Sequence, residues 1–133
     1  MTLYHVILLF FASVMAGFVL RPLIFGGKRI TVADAHAKLA AGNAVLVDVR
    51  EPAEWRDGVA APAELLPLSD LQGARARWKP FLAANKDKEI LLYCVSGIRS
   101  GSAAMILKRE GFKVANVGSY RRWAGAGLPT RKP

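Results

Sequence analysis

The sequence predicts an α/β domain in which helices cover both faces of a parallel sheet, preceded by one transmembrane helix. Residues 44–47 and 90–93 are continuous apolar runs, typical of strands that are buried on both faces. Helix-like segments alternate with these runs along the chain, as they do in parallel sheets with crossover helices. In a chain of 133 residues we therefore expect one domain at 28–133, after a transmembrane helix and hinge at 1–27.

The N-terminal segment has the length of a membrane span. The first 20 residues are uncharged, and a helix of that length covers about 30 Å of hydrocarbon. We expect a span through residues 3–25 and a hinge at 26–27. Arg21, Lys28 and Arg29 follow the apolar run and no Lys or Arg precedes it, so the positive-inside rule predicts a single-pass membrane protein whose domain faces the cytoplasm. A cleavable signal peptide is the alternative, but the basic start and small-residue cleavage site that it needs are not convincing here.

Local signals place the elements in the first half of the domain. Alanine-rich residues 33–41 predict a helix that ends at Gly42, and Pro52 starts a short helix through Trp55. After a weak strand at 64–67, Ser69 is the expected N-cap of a further helix. The apolar side of that helix is expected to carry Leu71, Trp78, Phe81 and Leu82.

The second half repeats the pattern of strand and helix. The strand at 90–93 is followed by a turn and by a helix at about 100–110, which ends at Gly111. A last short strand is expected at 114–117. The apolar face of the helix is expected to consist of Ala103, Ala104 and Leu107.

Cys94, the single cysteine of the chain, lies where the strand at 90–93 meets the polar turn. A thiol in this place faces unpaired backbone N–H groups and the positive end of a helix dipole, and both favour the thiolate. Asp48 ends the other buried strand, and ligands of parallel sheets bind beyond these carboxyl ends. The position predicts a nucleophile in sulfur chemistry; an inert buried thiol is the alternative.

The net charge of +9 is interpreted first as a solvated basic surface; the alternative is an anionic partner, either a small substrate or a membrane surface. The basic residues are scattered singly or in pairs, with no nucleic-acid-binding module around them, so no nucleic-acid partner is expected. His5 and His36 lack neighbours at ligand spacing, so no metal site is expected.

Three stretches resemble the motifs of a single rhodanese (sulfurtransferase) domain, and the resemblance covers residues 30–129. Residues 46–52 (LVDVREP) with Glu54 and Trp55 resemble the first signature of that family, and residues 94–100 (CVSGIRS) resemble its active-site loop. Residues 111–117 with Trp123 and the GLP at 127–129 resemble its C-terminal end. The order and spacing of the three stretches make the chain similar to this family as a whole.

The resemblance implies a doubly wound α/β domain and a sulfur-transfer reaction. Cys94 would take a sulfane sulfur from a small anionic donor such as thiosulfate, or from a persulfide, hold it as a covalent persulfide and pass it to cyanide or a thiol. No cofactor is implied beyond that persulfide. In this family the N–H groups of the loop point toward the cysteine; the matching residues here are Val95, Ser96, Gly97, Ile98, Arg99 and Ser100.

Individual loop residues have two interpretations each. Arg99 either attracts an anionic donor or braces the loop through a salt bridge to Asp48 or Glu51. Ser100 either donates to the sulfur or, as we prefer, acts as a helix N-cap. Gly97 is expected to satisfy a backbone requirement for positive φ or close approach.

Asp48 and Arg50 are expected to support the domain rather than the chemistry, whereas Ser96 is a further hydroxyl that could donate to a persulfide.

The sequence departs from the family pattern at two places. The histidine that usually follows the first signature is missing from residues 58–64, and Val95 stands where a basic or polar residue is common. Thiosulfate is therefore expected to be a poor donor, and a protein persulfide or a less charged donor becomes more credible.

Two other functions compete with the enzyme. Dual-specificity phosphatases have a related fold, but their loop holds one residue more between cysteine and arginine, which argues against a phosphatase here. The stronger alternative is a membrane-tethered rhodanese-like module that binds a partner in a sulfur relay and has little turnover of its own.

Overall fold

The computed structural model describes residues 2–25 and 28–133. The elements, in chain order, are α1 (Leu3–Phe25), β1 (Lys28–Arg29), α2 (Val32–Ala40), β2 (Ala44–Asp48), a 3₁₀ turn (Pro52–Glu54), β3 (Val59–Ala60), β4 (Ala63–Leu65), α3 (Leu68–Gln72), α4 (Trp78–Ala84), β5 (Glu89–Cys94), α5 (Ile98–Arg109), β6 (Val114–Ser119), α6 (Tyr120–Gly125) and β7 (Thr130–Arg131).

The central sheet has five strands in the order β1-β6-β5-β2-β4, and each neighbouring pair is parallel. The predicted parallel sheet is thus confirmed, with its two longest apolar runs, β2 and β5, side by side in the middle. Strands β3 and β7 form a separate antiparallel pair, which the sequence did not predict.

Helices cover both faces of the sheet, and strand β5 shows how. Ile90, Leu92 and Cys94 belong to the apolar cluster that includes residues of α3, α4 and α5, whereas Leu91 and Tyr93 belong to the cluster on the opposite face, with α2 and α6. Successive side chains of a strand point to opposite faces, so the Cys94 side chain faces the helix that follows it, α5. The predicted α5 face of Ala103, Ala104 and Leu107 is fully buried there.

The region predicted as one helix after Ser69 contains two. Helix α3 begins after Pro67, and Ser69 lies inside it, where its hydroxyl donates to the Glu51 carboxylate at 2.9 Å. The predicted N-cap role of Ser69 is therefore wrong. The break between α3 and α4 contains Arg75, whose φ is 59°, and the Asp70 carboxylate accepts the N–H groups of residues 76–78 at the start of α4.

The N-terminal run forms one helix, α1, as its composition predicts, but the membrane span is not borne out. Within residues 2–25 and 28–133, no helix is both long and apolar enough to cross a bilayer. Helix α1 has the bounds of the predicted span, residues 3–25, and includes Arg21. The predicted hinge at 26–27 lies outside the described residues.

Candidate active site

Cys94 is the last residue of β5, and its side chain is fully buried against α5. The chain then turns through residues 95–97 and enters α5 at Ile98. The sulfur thus lies between the end of β5 and the start of α5, because α5 packs on the face of the sheet to which the Cys94 side chain points. The structure places the thiol where the sequence predicts it, at the carboxyl end of the sheet.

Hydrogen-bond donors of the loop and the helix surround the sulfur. The Gly97 N–H donates to Cys94 Sγ at 3.0 Å, and Ser100 Oγ lies 3.4 Å from Sγ. Burial raises the pKa of the Cys94 thiol, but hydrogen bonds from the Ser100 hydroxyl and from the N–H groups of Ser100, Gly97 and Ser96 outweigh it, so the pKa lies below the ordinary cysteine value. The arrangement favours a thiolate, which is the nucleophilic form of cysteine.

Gly97 meets the predicted backbone requirement through its positive φ. Its φ is 93°, in the left-handed region that side chains rarely adopt. A Cβ atom at Gly97 would also stand 3.4 Å from the Gly118 Cα and 3.8 Å from Asn116 Nδ2. These are ordinary contact distances, so the conformation rather than the space requires glycine at position 97, where the N–H faces the sulfur.

The preferred interpretation of Ser100, a helix N-cap, is wrong. Helix α5 begins two residues earlier and its N-cap is Gly97, so Ser100 lies in the first turn with its side chain fully buried. Its hydroxyl is placed between Cys94 Sγ, at 3.4 Å, and Asn116 Oδ1, at 2.8 Å. This position supports the other interpretation, a donor to the sulfur.

Asn116 is the site residue that sequence reasoning missed. It is almost fully buried in the middle of β6, and its Nδ2 donates to the Gly97 carbonyl oxygen at 2.9 Å. Its Oδ1 accepts from the Ser100 hydroxyl and, at 3.0 Å, from the Gly118 N–H. The available signal was an amide in an otherwise apolar strand, because a buried polar side chain needs partners.

Arg99 braces the loop, but through a different partner from the two that were predicted. Its guanidinium forms two hydrogen bonds with the Glu54 carboxylate, at 2.5 and 2.8 Å, rather than with Asp48 or Glu51. The hydrogen bond from Arg99 is the largest effect on Glu54 and lowers the pKa of that carboxyl to about 2. This pair ties α5 to the 3₁₀ turn of the first signature.

Asp48 and Arg50 form a second ion pair, buried under the loop that follows β2. Arg50 Nη2 lies 2.7 Å from Asp48 Oδ2 and also donates to the Gly58 carbonyl at 2.8 Å. The guanidinium lies over the Tyr120 ring, with its carbon 4.6 Å from the ring centroid. These contacts join β2, the following loop and α6, as expected for residues that support the domain.

Three other loop residues, Val95, Ser96 and Ile98, lie at the surface. The side chains of Val95 and Ile98 are 53% and 75% exposed, and Ser96 is exposed as well. Their side chains therefore do not surround the buried sulfur, and from this group only the N–H of Ser96 lowers the pKa of Cys94. Across the described part of the chain there is no group of three or more side chains that could hold a metal ion.

Comparison with known proteins identifies the relatives of this chain. The sequence matches the rhodanese-like domain family over residues 31–126, which include Cys94 and the whole loop. It is 37% identical over 93 residues to a protein named sulfurtransferase from Allochromatium vinosum, covering 68% of this chain and 81% of that protein.

Solved structures show the same fold. The crystal structure of a rhodanese-related protein from Thermoplasma volcanium is similar with a TM-score of 0.66 and 28% identity, over 80% of this chain and 99% of that one. The human single-domain sulfurtransferase TSTD1 is similar with a TM-score of 0.62 and 26% identity, over 74% of this chain and 96% of its own.

Proposed function

Since the chain belongs to the rhodanese-like domain family, we propose that it is a sulfurtransferase in which Cys94 is the nucleophile and carries the sulfur as a persulfide. The observation that carries the proposal is the environment of the sulfur. The Gly97 N–H and the Ser100 hydroxyl both lie within hydrogen-bond reach of Sγ. A relative named sulfurtransferase supports the same role.

In the first step the Cys94 thiolate attacks the outer, sulfane sulfur of the donor. A new S–S bond forms to Sγ while the donor's own S–S bond breaks and the leaving group keeps the electron pair. With thiosulfate the leaving group is sulfite, and with a low-molecular-weight persulfide it is the parent thiolate. The product on the protein is the Cys94 persulfide.

In the second step a thiolate acceptor or cyanide attacks the outer sulfur of the persulfide. The S–S bond to Sγ breaks, the acceptor leaves with the sulfur as a persulfide or thiocyanate, and Cys94 returns to the thiolate. Each step is a displacement at sulfur without net oxidation, so no redox cofactor is required.

The loop supplies electrostatic stabilisation in both steps. Negative charge passes between Sγ, the transferred sulfur and the leaving group, and donors that are already oriented stabilise it without reorganisation. Gly97 holds one such N–H in place, because its carbonyl oxygen is fixed by Asn116 at 2.9 Å and by the Gly101 N–H at 3.0 Å. The chain's own contribution is therefore a rigid set of donors around one sulfur atom.

The test is persulfide formation on the purified full chain. Thiosulfate and glutathione persulfide are each incubated with the wild-type protein and with Cys94→Ser, and intact-mass spectrometry detects the gain of one sulfur atom. We expect the gain only in the wild-type protein, followed by its loss on addition of cyanide or a thiol. Equal sulfur transfer by the wild-type protein and Cys94→Ser would overturn the proposal.

A second candidate function is a binding module that receives sulfur from a protein partner and has little turnover with small molecules. The exposed apolar side chains of Val95 and Ile98, two residues of the loop, favour it because exposed apolar surface is common at protein contacts. A protein that loads Cys94 once but does not turn over with thiosulfate plus cyanide would support this function over the enzyme.

A further inference from the structure

A cavity of about 190 Å³ lies beside the Cys94 loop, on the side of β1 and β6. Its lining combines residues 95–97 of the loop and residues 116–119 of β6 with Arg29, Ile30 and Arg122. Gly97 belongs both to this lining and to the site, because its N–H donates to Cys94 Sγ at 3.0 Å. A molecule in the cavity is therefore in contact with a residue that touches the nucleophile.

The cavity carries positive charge that the protein itself does not neutralise. Arg29 and Arg122 both line it, both are exposed, and no acidic side chain is part of the lining. Within residues 2–25 and 28–133, neither arginine forms an ion pair. Two cations beside one small cavity attract an anion, and they do so most strongly at low salt.

The arginine of the loop does not offer the same charge. Arg99 is bound through two hydrogen bonds to Glu54, so its charge is compensated. Arg29 and Arg122, by contrast, place positive charge in the lining of the neighbouring cavity.

We infer that this cavity, which we call the Arg29–Arg122 cavity, binds an oxyanion carried by the sulfur donor; the inference rests on the proposed sulfur transfer. At about 190 Å³ the cavity is smaller than sites for drug-sized ligands, which measure roughly 300–1,000 Å³. It therefore suits a compact anion or one charged end of a larger molecule. The arginines orient the donor so that its sulfane sulfur reaches Cys94 while its negative charge stays in the cavity.

Two donors carry this chemistry. Thiosulfate bears a sulfonate directly on the sulfane sulfur, and glutathione persulfide bears carboxylates several bonds away from it. The persulfide of 2-mercaptoethanol has the same reactive sulfur without an oxyanion, and it serves as the comparison donor, called neutral here because its organic part carries no charge. All three donors react in the same way, by attack of the Cys94 thiolate on the sulfane sulfur.

The experiment measures the rate of Cys94 persulfide formation in the full chain, for wild type, Arg29→Ala, Arg122→Ala, the double variant and Arg122→Glu. Arg121→Ala is the matched control, because Arg121 is an exposed arginine of the same helix that does not line the cavity. We expect each single alanine variant to lower the second-order rate constant for an anionic donor by about three- to tenfold, as for partly exposed charge contacts. Arg122→Glu lowers it further, and the neutral donor is unaffected in every variant.

The salt dependence provides a signature that a structural role would not produce. The wild-type rate with an anionic donor falls as NaCl is raised, and this slope becomes flatter in the double variant. A loss confined to thiosulfate assigns the cavity to the sulfonate, and a loss confined to glutathione persulfide assigns it to a carboxylate; either result supports the inference. Equal losses for the neutral donor, or no loss for both anionic donors, would overturn it.

A binding measurement separates this inference from the proposed function. Sulfite, the product anion, is titrated into Cys94→Ser and into Cys94→Ser combined with both alanine substitutions, using calorimetry. Weaker binding to the triple variant supports the cavity even if no donor loads Cys94. Equal sulfite binding to the two proteins, together with no loss of rate for glutathione persulfide, overturns the cavity while leaving the sulfurtransferase proposal intact.

Discussion

Removal of the Ser100 hydroxyl is the sharpest perturbation of the nucleophile. Ser100 has one hydroxyl proton and two neighbours that can accept it, Cys94 Sγ at 3.4 Å and Asn116 Oδ1 at 2.8 Å. The orientation of the amide is determined by its surroundings, since Nδ2 faces the Gly97 carbonyl and Oδ1 faces the Gly118 N–H. Asn116 Oδ1 therefore only accepts, and the hydroxyl has to turn from Asn116 toward the sulfur when Cys94 ionises.

The effect of Ser100→Ala follows from these contacts. A hydrogen bond to a charged group contributes about 1.5–3 kcal/mol, and each 1.36 kcal/mol is about a factor of ten in rate. When the hydroxyl turns toward the thiolate it loses its hydrogen bond to Asn116, and this loss offsets part of that contribution of about 1.5–3 kcal/mol. We therefore expect persulfide formation by Ser100→Ala to slow by about tenfold near neutral pH. Stability should fall by only about 1 kcal/mol, because Asn116 Oδ1 keeps the Gly118 N–H.

The assay is the pH dependence of Cys94 alkylation by iodoacetamide. Cys94 is the single cysteine of the chain, so the signal has one source. The pKa of Cys94 should rise in Ser100→Ala, because the thiolate loses its hydroxyl donor, and the rate deficit should shrink at pH values above both pKa values. Ser102→Ala, in the same helix, is the control and should behave as wild type. An unchanged pKa in a folded Ser100→Ala protein would refute the reasoning.

Two further predictions concern the loop. Gly97→Ala should cost about 1–2 kcal/mol of stability for its left-handed conformation and should also slow persulfide formation. Gly111→Ala is the matched control: its φ is 94°, but a Cβ there meets nothing within 4 Å, so urea denaturation should show a similar loss of stability without any loss of rate. Glu54→Gln should lower stability by about 0.2–1 kcal/mol, as a partly exposed ion pair does. Because the folded pKa of Glu54 is about 2 and thus below its unfolded value, this difference should be fully present above about pH 4.5 and disappear as the pH falls toward 2; a difference that persists at pH 2 would contradict the ion-pair explanation.

The sequence predicts the buried middle of the fold well because local patterns encode it. The apolar runs in β2 and β5 and the α5 face of Ala103, Ala104 and Leu107 are found as predicted. Strand β1 was missed because it consists of two exposed charged residues, and only backbone pairing to β6 makes it a strand. The pair of β3 and β7 was missed because it joins distant residues, Val59 with Arg131, and neither segment has a pattern of its own.

The errors near the site have one physical origin, which is the competition between local and distant partners for the same polar side chain. Serine favours helix N-caps when only its neighbours are considered, yet Ser69 donates to Glu51 and Ser100 contacts Cys94 and Asn116. Glu54 was the correct partner of Arg99, but three acidic residues of the first signature lie close enough in sequence to make the choice ambiguous.

The placement of Asn116 explains why the loop does not encode its own geometry. Residues 95–97 form a turn that local propensity does not stabilise, since a glycine such as Gly97 loses the most conformational freedom on folding. The Asn116 amide holds that turn from β6, the strand next to β5, by binding the Gly97 carbonyl and the Ser100 hydroxyl at once. The positions of Gly97 and Ser100 beside Cys94 therefore depend on the pairing of β6 with β5, which places Asn116. The low pKa of Cys94 is therefore a property of the assembled sheet as well as of the loop. A substitution that disturbs the pairing of β5 with β6 should raise the pKa of Cys94 even when the loop sequence is unchanged.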